Sequence, residues 1–377
     1  MISLPLGPRQ SLVASVVPWK ARVAHKPEAP AKDCDVPSLV LQACGSFGFA
    51  GAVLLCGVLV GVAVPALSAG EKGPKPKAGL DISKGNKKIA LIPGCTANRF
   101  DFETEKMRGT LRLDGDYHGV VRLVDKRTNR QVVDPRYSLL NLFRIFSVNL
   151  GLGTPRSMKG TIKSTSDMAE VTWPASEVHQ GEITARYEVK EPNIVDLTIT
   201  VRSRGVYPAY EILLPSYFDS SLLPHVYLKR RTEGGEWVLP TFNEVFRGGV
   251  MAFPRDAHAA RRYVDGRWTR GEYGMPCAPF FPLRPYAEAL GLMTDRDQQV
   301  GIALMAQRQF CSGVSCRYHA DQEADRLTSY SAIDLTLFGQ DLNPGDECTA
   351  LVRLVLLQLD GDLNRVLPAF RAFTPTK

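Results

Sequence analysis

From about Arg108 onward, apolar and polar positions along the chain alternate with the period of two that marks half-buried strands. In GTLRLDGDYHGVVRLVDKRTNRQVV two apolar runs flank polar turns, and the segment Asp125-Lys126-Arg127-Thr128-Asn129 reads as a hairpin tip. Further on, Ile183, Ala185, Tyr187 and Val189 fall on one face. After Glu191-Pro192-Asn193, Leu197, Ile199 and Val201 alternate with Asp196, Thr198, Thr200 and Arg202. That pattern predicts a hairpin with one buried and one polar face. Near the C-terminus AIDLTLF and TALVRLVLLQL flank Asn343-Pro344-Gly345-Asp346, read as another hairpin whose near-continuous apolar runs suit a sandwich interior. Helical spacing is rare. Asp256 is a candidate N-cap for AHAARRYV, which stops at Gly266. Leu363, Val366, Leu367 and Phe370 are helically spaced, but Pro368 removes a backbone donor among them, so one or two turns packed on a sheet are expected. The predicted class is all-β: a large antiparallel two-sheet sandwich with one or two short helices, forming a single domain over residues 90–377.

The N-terminal region follows a different pattern. Val36 to Gly70 holds no charged residue, and Gly45 to Leu67 is almost wholly apolar, long enough to span a bilayer. V-P-A-L-S-A-G follows, with small residues suited to signal peptidase near Ala66-Leu67-Ser68. Residues 1–69 therefore read as a leader with a signal peptide or membrane anchor, and 70–89, rich in Pro, Gly and Lys, as a linker. Basic residues upstream of the run would stay inside, so the bulk of the chain is expected to be exported: secreted, periplasmic, or anchored and facing outward. Pro65 favours cleavage. An uncleaved helix is the alternative, and Gly57-xxx-Gly61 would then favour helix pairing.

Composition narrows the function classes. The net charge is +7, part of it from Arg9, Lys20, Arg22, Lys26 and Lys32 in the leader, and no block of five like charges occurs. A nucleic-acid binder needs a concentrated basic face, so nucleic acid is not an expected partner. Of eight cysteines, Cys34, Cys44 and Cys56 lie in the leader or apolar run, leaving Cys95, Cys277, Cys311, Cys316 and Cys348. With no C-x-x-C, their spacing matches no zinc pattern. Cys311 and Cys316 have the spacing of a local disulfide, against the reading of free buried thiols. Gly151-Leu-Gly153 lacks the third glycine of a dinucleotide loop, and Asp321-x-Glu323-x-Asp325 lacks the glycine and distal glutamate of a calcium loop. Neither H-E-x-x-H nor G-x-S-x-G is present. No metal and no cofactor is expected.

Several motifs occur in a characteristic order. Y-H-G-V-V-R-L-V-D-K-R-T-N-R-Q-V-V is followed by T-W-P at Thr172, then G-E-I-T-A-R-Y-E-V-K-E-P-N-I-V-D-L-T-I-T-V. A-Y-E-I-L-L-P-S-Y-F-D comes next, and L-F-G-Q-D-L-N-P-G-D-E precedes the last strand. The order resembles that of the galactose mutarotase-like (aldose 1-epimerase-like) supersandwich superfamily over nearly the whole exported part. The resemblance implies a β-supersandwich and a carbohydrate ligand. Aldose 1-epimerases of that superfamily carry a histidine just before an x-Y-F-N segment as general acid, with a glutamate near the C-terminus as base. Here Ser216-Tyr217-Phe218-Asp219 resembles that segment, but Pro215 occupies the histidine's place. Proline has no proton to give, so ordinary epimerase chemistry is not expected.

His225, His118 and His258 are the histidines considered as substitutes, and Glu211 and Glu272 the carboxylates. A lone histidine is more often structural. Between His225 and Tyr286 the chain concentrates aromatic rings and arginines, the residue types that present flat faces to sugar C–H patches and fixed donors to hydroxyls. The candidate carbohydrate-binding residues are Tyr217, His225, Trp237, Arg247, Arg255, His258, Trp268 and Tyr273. The leading expectation is an exported, bacterial-envelope-type carbohydrate-binding protein without epimerase activity. The alternatives are a carbohydrate-active enzyme of epimerase, lyase or hydrolase type with a non-standard acid/base pair, and a structural envelope protein tethered by the N-terminal helix.

Overall fold

The structure, a computed structural model, describes residues 87–148, 150–240, 249–268, 279–280, 284–317 and 330–374. The leader, its apolar run and most of the linker lie outside the described residues. Among the described residues no helix is long and apolar enough to cross a membrane.

The first five strands, β1 (Ile92–Pro93), β2 (Arg99–Glu103), β3 (Met107–Arg112), β4 (Gly119–Asp125) and β5 (Arg130–Gln131), form a meander in chain order. Then come β6 (Arg144–Ser147), β7 (Leu150–Gly153), β8 (Thr161–Ser164), β9 (Ala169–Trp173), β10 (Gly181–Lys190), β11 (Ile194–Ser203), β12 (Tyr207–Phe218), β13 (Leu223–Lys229) and β14 (Gly235–Val238). The remainder are β15 (Val250–Pro254), β16 (Pro279–Phe280), β17 (Tyr286–Thr294), β18 (Val300–Ala306), β19 (Cys311–Arg317), β20 (Ser331–Leu342) and β21 (Glu347–Gln358). A nine-stranded sheet runs β14-β13-β17-β18-β21-β11-β10-β9-β8, and a seven-stranded sheet runs β16-β15-β19-β20-β12-β6-β7. Apart from the parallel β15/β16 pair, the pairings are antiparallel.

The two large sheets bury one face of each against the other. Ile183, Ala185, Tyr187 and Val189 of β10 and Leu197, Ile199 and Val201 of β11 enter one core with Ile212, Leu214 and Phe218 of β12 and Ile333, Leu335 and Leu337 of β20. The alternation expected for β10 and β11 is realised in the register Ile183↔Val201 to Val189↔Val195, except that Asp196 on the polar face is buried in ion pairs with Lys190 and Arg353. The small N-terminal sheet, which the two-sheet expectation did not separate, adds Phe100, Phe102, Met107, Leu111 and Leu123 to the same core.

The C-terminal hairpin expectation requires correction. β20 and β21 do not pair: β20 lies between β12 and β19 in one sheet, β21 between β18 and β11 in the other. The Asn343–Asp346 turn carries the chain across the core. Near-continuous apolar runs fit strands covered on both faces equally well as hairpin partners or as members of facing sheets.

Both expected helices form. Helix α1 (Ala257–Ala260) is capped by Asp256, whose side chain accepts from the Ala259 N–H at 2.8 Å. Helix α2 (Val366–Phe373) packs Val366, Ala369, Phe370 and Phe373 against Leu290, Leu292 and Met305 of the nine-stranded sheet. Pro368 falls in its first turn, where the missing N–H has no intrahelical acceptor to lose. Cys311 and Cys316 are free, buried thiols facing the core; Cys277 lies outside the described residues.

Candidate functional site

Because side chains alternate along a strand, the seven-stranded sheet has a second face, turned away from the core. Its residues form rows set by strand register. Arg317, Ala332 and Tyr217 make one row across β19, β20 and β12; Ser315, Asp334 and Pro215 make the next; Gly313, Thr336 and Leu213 a third. Half of this face is covered by the segment 255–268. There Tyr263 and Trp268 pack on Phe146, Leu213, Val250 and Ala252. An ion network pins that cover: buried Glu211 accepts from Arg267 Nη1 at 2.6 Å, Ser312 Oγ at 2.6 Å and Arg262 Nη1 at 3.3 Å, while Arg262 also donates to the Gly339 carbonyl at 2.6 Å. Glu211 is therefore committed to holding the segment down and is not a candidate base; Glu272 lies outside the described residues.

The other part of the face carries a cavity of about 140 Å³ whose walls include Tyr117, Tyr137, Tyr217, Tyr330, Arg156, Arg317, Pro215 and Asp334. Four tyrosine rings cluster there. Tyr137 and Tyr217 have centroids 4.9 Å apart, and Tyr330 meets Tyr217 edge-on at 5.2 Å; Tyr117 lies 4.9 Å from Tyr137. Arginines hold the cluster. Arg136, paired with Asp134 at 2.8 Å, lies over the Tyr137 ring, and Arg317 lies over the Tyr330 ring and donates to its hydroxyl. Arg156 lies 4.1 Å from the Phe143 ring centroid and 5.0 Å from that of Tyr117.

Pro215 shapes the floor. Its ring faces the cavity, and having no N–H it gives the adjoining segment no donor. The pairing there slips by one residue: the Tyr217 N–H donates to the Ser138 carbonyl and the Asn141 N–H to the Pro215 carbonyl. The extra residue sits at Leu140, with φ +57°, whose N–H is taken by Ser216 Oγ at 2.9 Å. Asp334, directly opposite, accepts from Ser315 Oγ at 3.3 Å through Oδ2, while its buried Oδ1 has no hydrogen-bond partner among the described residues. Burial raises the Asp334 carboxyl to about 7, against the opposing pull of Ser315 and Arg317. It is an acid able to change charge near neutral pH inside a cavity lined by aromatic rings.

Of the sequence candidates, Tyr217 lines this cavity. The others are not gathered around it. His225 and Trp237 belong to β13 and β14 of the nine-stranded sheet, where Trp237 packs 4.9 Å from Tyr227. Trp268 is only 5% exposed, within the packing of the cover segment. Arg255 pairs with Asp256 and donates to the Gln309 carbonyl, and His258 is exposed on α1. Arg247 and Tyr273 lie outside the described residues, as does Asp321-x-Glu323-x-Asp325. His118 is buried beside Trp173, with Nε2 accepting the Leu142 N–H at 3.0 Å, and burial lowers it to about 3. It is a neutral structural imidazole. Sequence reasoning missed Asp334, Arg156, Arg317 and three of the four tyrosines. One signal was available: Asp334 is the single charge in the apolar run AIDLTLF.

No protein-family model matches this chain, and no curated protein matches it. Among solved structures it is similar to a putative aldose 1-epimerase from Escherichia coli K12, at 11% identity over 69% of this chain and 98% of the other, with a TM-score of 0.41. It is also similar to a galactose 1-epimerase from Lactobacillus acidophilus, at 10% identity over 73% and 99% with a TM-score of 0.39. A third is an α-N-acetylgalactosaminidase from Bifidobacterium bifidum, at 10% identity over 72% of this chain and 38% of the other, with a TM-score of 0.43. The structural neighbours also include a homologue of galactose mutarotase and aldose epimerase from C. elegans, at 9% identity over 72% of this chain and 99% of the other, with a TM-score of 0.41.

Proposed function

We propose that this chain is an exported carbohydrate-binding protein whose ligand sits in the tyrosine-lined cavity on the outer face of the seven-stranded sheet, and that it lacks ordinary epimerase activity. The observation that carries the reading is the four-tyrosine cavity with arginine and aspartate on its walls. Tyrosine faces take the apolar C–H side of a pyranose while guanidinium and carboxyl groups take its hydroxyls. At about 140 Å³ the cavity is below the roughly 300–1,000 Å³ of sites that engulf a whole ligand, which suits one sugar ring or the end of a longer glycan. Among the described residues no histidine lines it, and Pro215 stands where the epimerase acid is expected. Export rests on the uncharged run from Val36 to Gly70.

A glycan array probed with the full chain, alongside Tyr217→Ala, tests the reading. Sugar-dependent signal that falls at least tenfold in the variant supports it; equal signal from both proteins removes the cavity from consideration. One observation favours a second reading as a carbohydrate-active enzyme: Asp334, poised near neutrality with an unpartnered oxygen, is chemically able to exchange a proton with a bound sugar.

A further inference from the structure

The Asp334 carboxyl is left incompletely satisfied at the wall of the tyrosine cavity. The residue is 6% exposed; Ser315 Oγ donates to Oδ2, and Oδ1 is buried with no hydrogen-bond partner among the described residues. Strand register is the cause. The carboxyl's cross-strand neighbours are Pro215 on β12 and Ser315 on β19, so one flank has no proton to give and the other a single hydroxyl. An ionised carboxylate offers about four acceptor sites, and one long hydrogen bond leaves the anion poorly solvated. The acid form asks for less and carries a proton of its own, which is assigned to Oδ1 because Oδ2 accepts from Ser315. Charged and titratable groups share the cavity from each neighbouring element: Arg317 from β19, Tyr217 from β12, Tyr330 from just ahead of β20, and Arg156 from the 3₁₀ turn Pro155–Ser157. Tyr117 and Tyr137 come from the loops before β4 and after β5, and Cys316 lies next to Ser315 but on the core face. Burial raises the Tyr137 and Tyr217 hydroxyls above their ordinary value, and a guanidinium does not deprotonate in proteins, so these groups keep their charge state around neutrality. At Asp334 burial outweighs both Ser315 and Arg317 and brings the carboxyl to about 7.

A sugar ring seated on the tyrosines covers this carboxyl further. The added cover penalises the anion, whereas the acid form gains an acceptor for its proton. We propose that Asp334 binds the saccharide as a neutral acid, donating its carboxyl proton in a hydrogen bond to a ring, glycosidic or hydroxyl oxygen of the sugar, so that ionisation of the carboxyl releases the ligand. No bond is broken: the proton stays on the carboxyl while the sugar is bound and passes to solvent when it leaves. This rests on the carbohydrate reading and adds the regulation of that same cavity to it. Binding and protonation are then linked, and each pH unit above the carboxyl's titration point weakens affinity about tenfold.

The test is calorimetric titration of the full chain with glucose, galactose, mannose and N-acetylglucosamine at about pH 6 and about pH 8.5, each in two buffers of different ionisation enthalpy. The sugar that binds at the lower pH is expected to bind about tenfold or more weaker at the higher one. At the higher pH its binding should take up about one proton from the buffer, read as a difference in heat between the two buffers. Asp334→Asn, which keeps a donor at that position but cannot ionise, should flatten the profile and abolish the proton uptake. Equal or tighter binding at the higher pH, or binding there without proton uptake, overturns the proposal and leaves the carbohydrate reading standing. A wild-type pH dependence in Asp334→Asn assigns the titration to another group and overturns it too. Should Asp334→Asn bind no sugar, the proton uptake of the wild type decides. If the wild type binds none of the four sugars at either pH, both readings fall.

Discussion

Pro215 and Asp334 stand directly opposite each other on β12 and β20, side by side on the outer face of the seven-stranded sheet. An imino acid without a proton thus faces a carboxyl group held near neutrality, and this pair determines what the cavity can do. The carboxyl's burial costs stability in its charged form, which makes the pair measurable.

Between about pH 4 and 7 the native Asp334 keeps a proton that the unfolded chain has already lost, because burial raises the group from 3.8 to about 7. The native state binds more protons in that window, so this residue's contribution to stability declines as pH rises and levels off above about 7. Three pH units correspond to an upper bound on the order of 4 kcal/mol. Asp334→Asn removes the titration. Urea denaturation should show the variant gaining on the wild type from pH 5 to pH 8; parallel pH profiles for the two proteins would contradict the assignment.

Mutarotation should run close to the uncatalysed rate. A general acid contributes about 10²–10⁴-fold, and Pro215 cannot supply one. Polarimetry on freshly dissolved glucose and galactose measures this, and strong activity in the wild-type chain would sink the reading of S-Y-F-D as a disarmed motif.

Glu211 holds two otherwise buried guanidinium groups. Glu211→Ala leaves Arg262 without its carboxylate and Arg267 with Asp265 alone, and loss of one member of a buried ion pair costs about 3–5 kcal/mol. Chemical denaturation should register that loss. A cost under about 1 kcal/mol would mean the network does not secure the 255–268 cover.

Trp268 is the ring whose role the structure changes most from expectation. It packs on Phe146 and Tyr263 as part of the 255–268 cover, so Trp268→Ala should cost roughly 3–5 kcal/mol of stability. In protein that remains folded, sugar affinity should stay within about twofold. Tyr217→Ala should do the reverse to affinity, weakening it by about 1 kcal/mol or more. Thermal melts and titrations on both variants decide between these roles, and weakened binding in Trp268→Ala with unaltered stability would place the ring in the site instead.

Export makes its own demand. If signal peptidase cuts after the apolar run, N-terminal sequencing of protein from its native host begins near Ala69 or Gly70; a full-length cytosolic chain ends the idea.

Alternation by itself determined most of the architecture. The β10/β11 hairpin, the Asp256 cap, the short C-terminal helix and the all-β class are local consequences of side-chain period and backbone donors, and they were legible residue by residue. Pro215, just ahead of S-Y-F-D, was visible in the sequence too, and the structure places its ring on the cavity floor. What period two cannot say is which of two sheets a strand joins, because an apolar run is satisfied by either; β20 and β21 parted company for that reason. The candidate site is subject to the same limit. Asp334, Tyr217, Arg317, Tyr137 and Arg156 come from distant stretches of chain, and only cross-strand register and the course of the loops bring them to one cavity. The aromatic-rich stretch from His225 to Tyr286 looked like a site because composition is local. The fold instead put Trp268 under a cover and Trp237 on the other sheet, since burial of a large ring is favourable wherever tertiary packing provides the space.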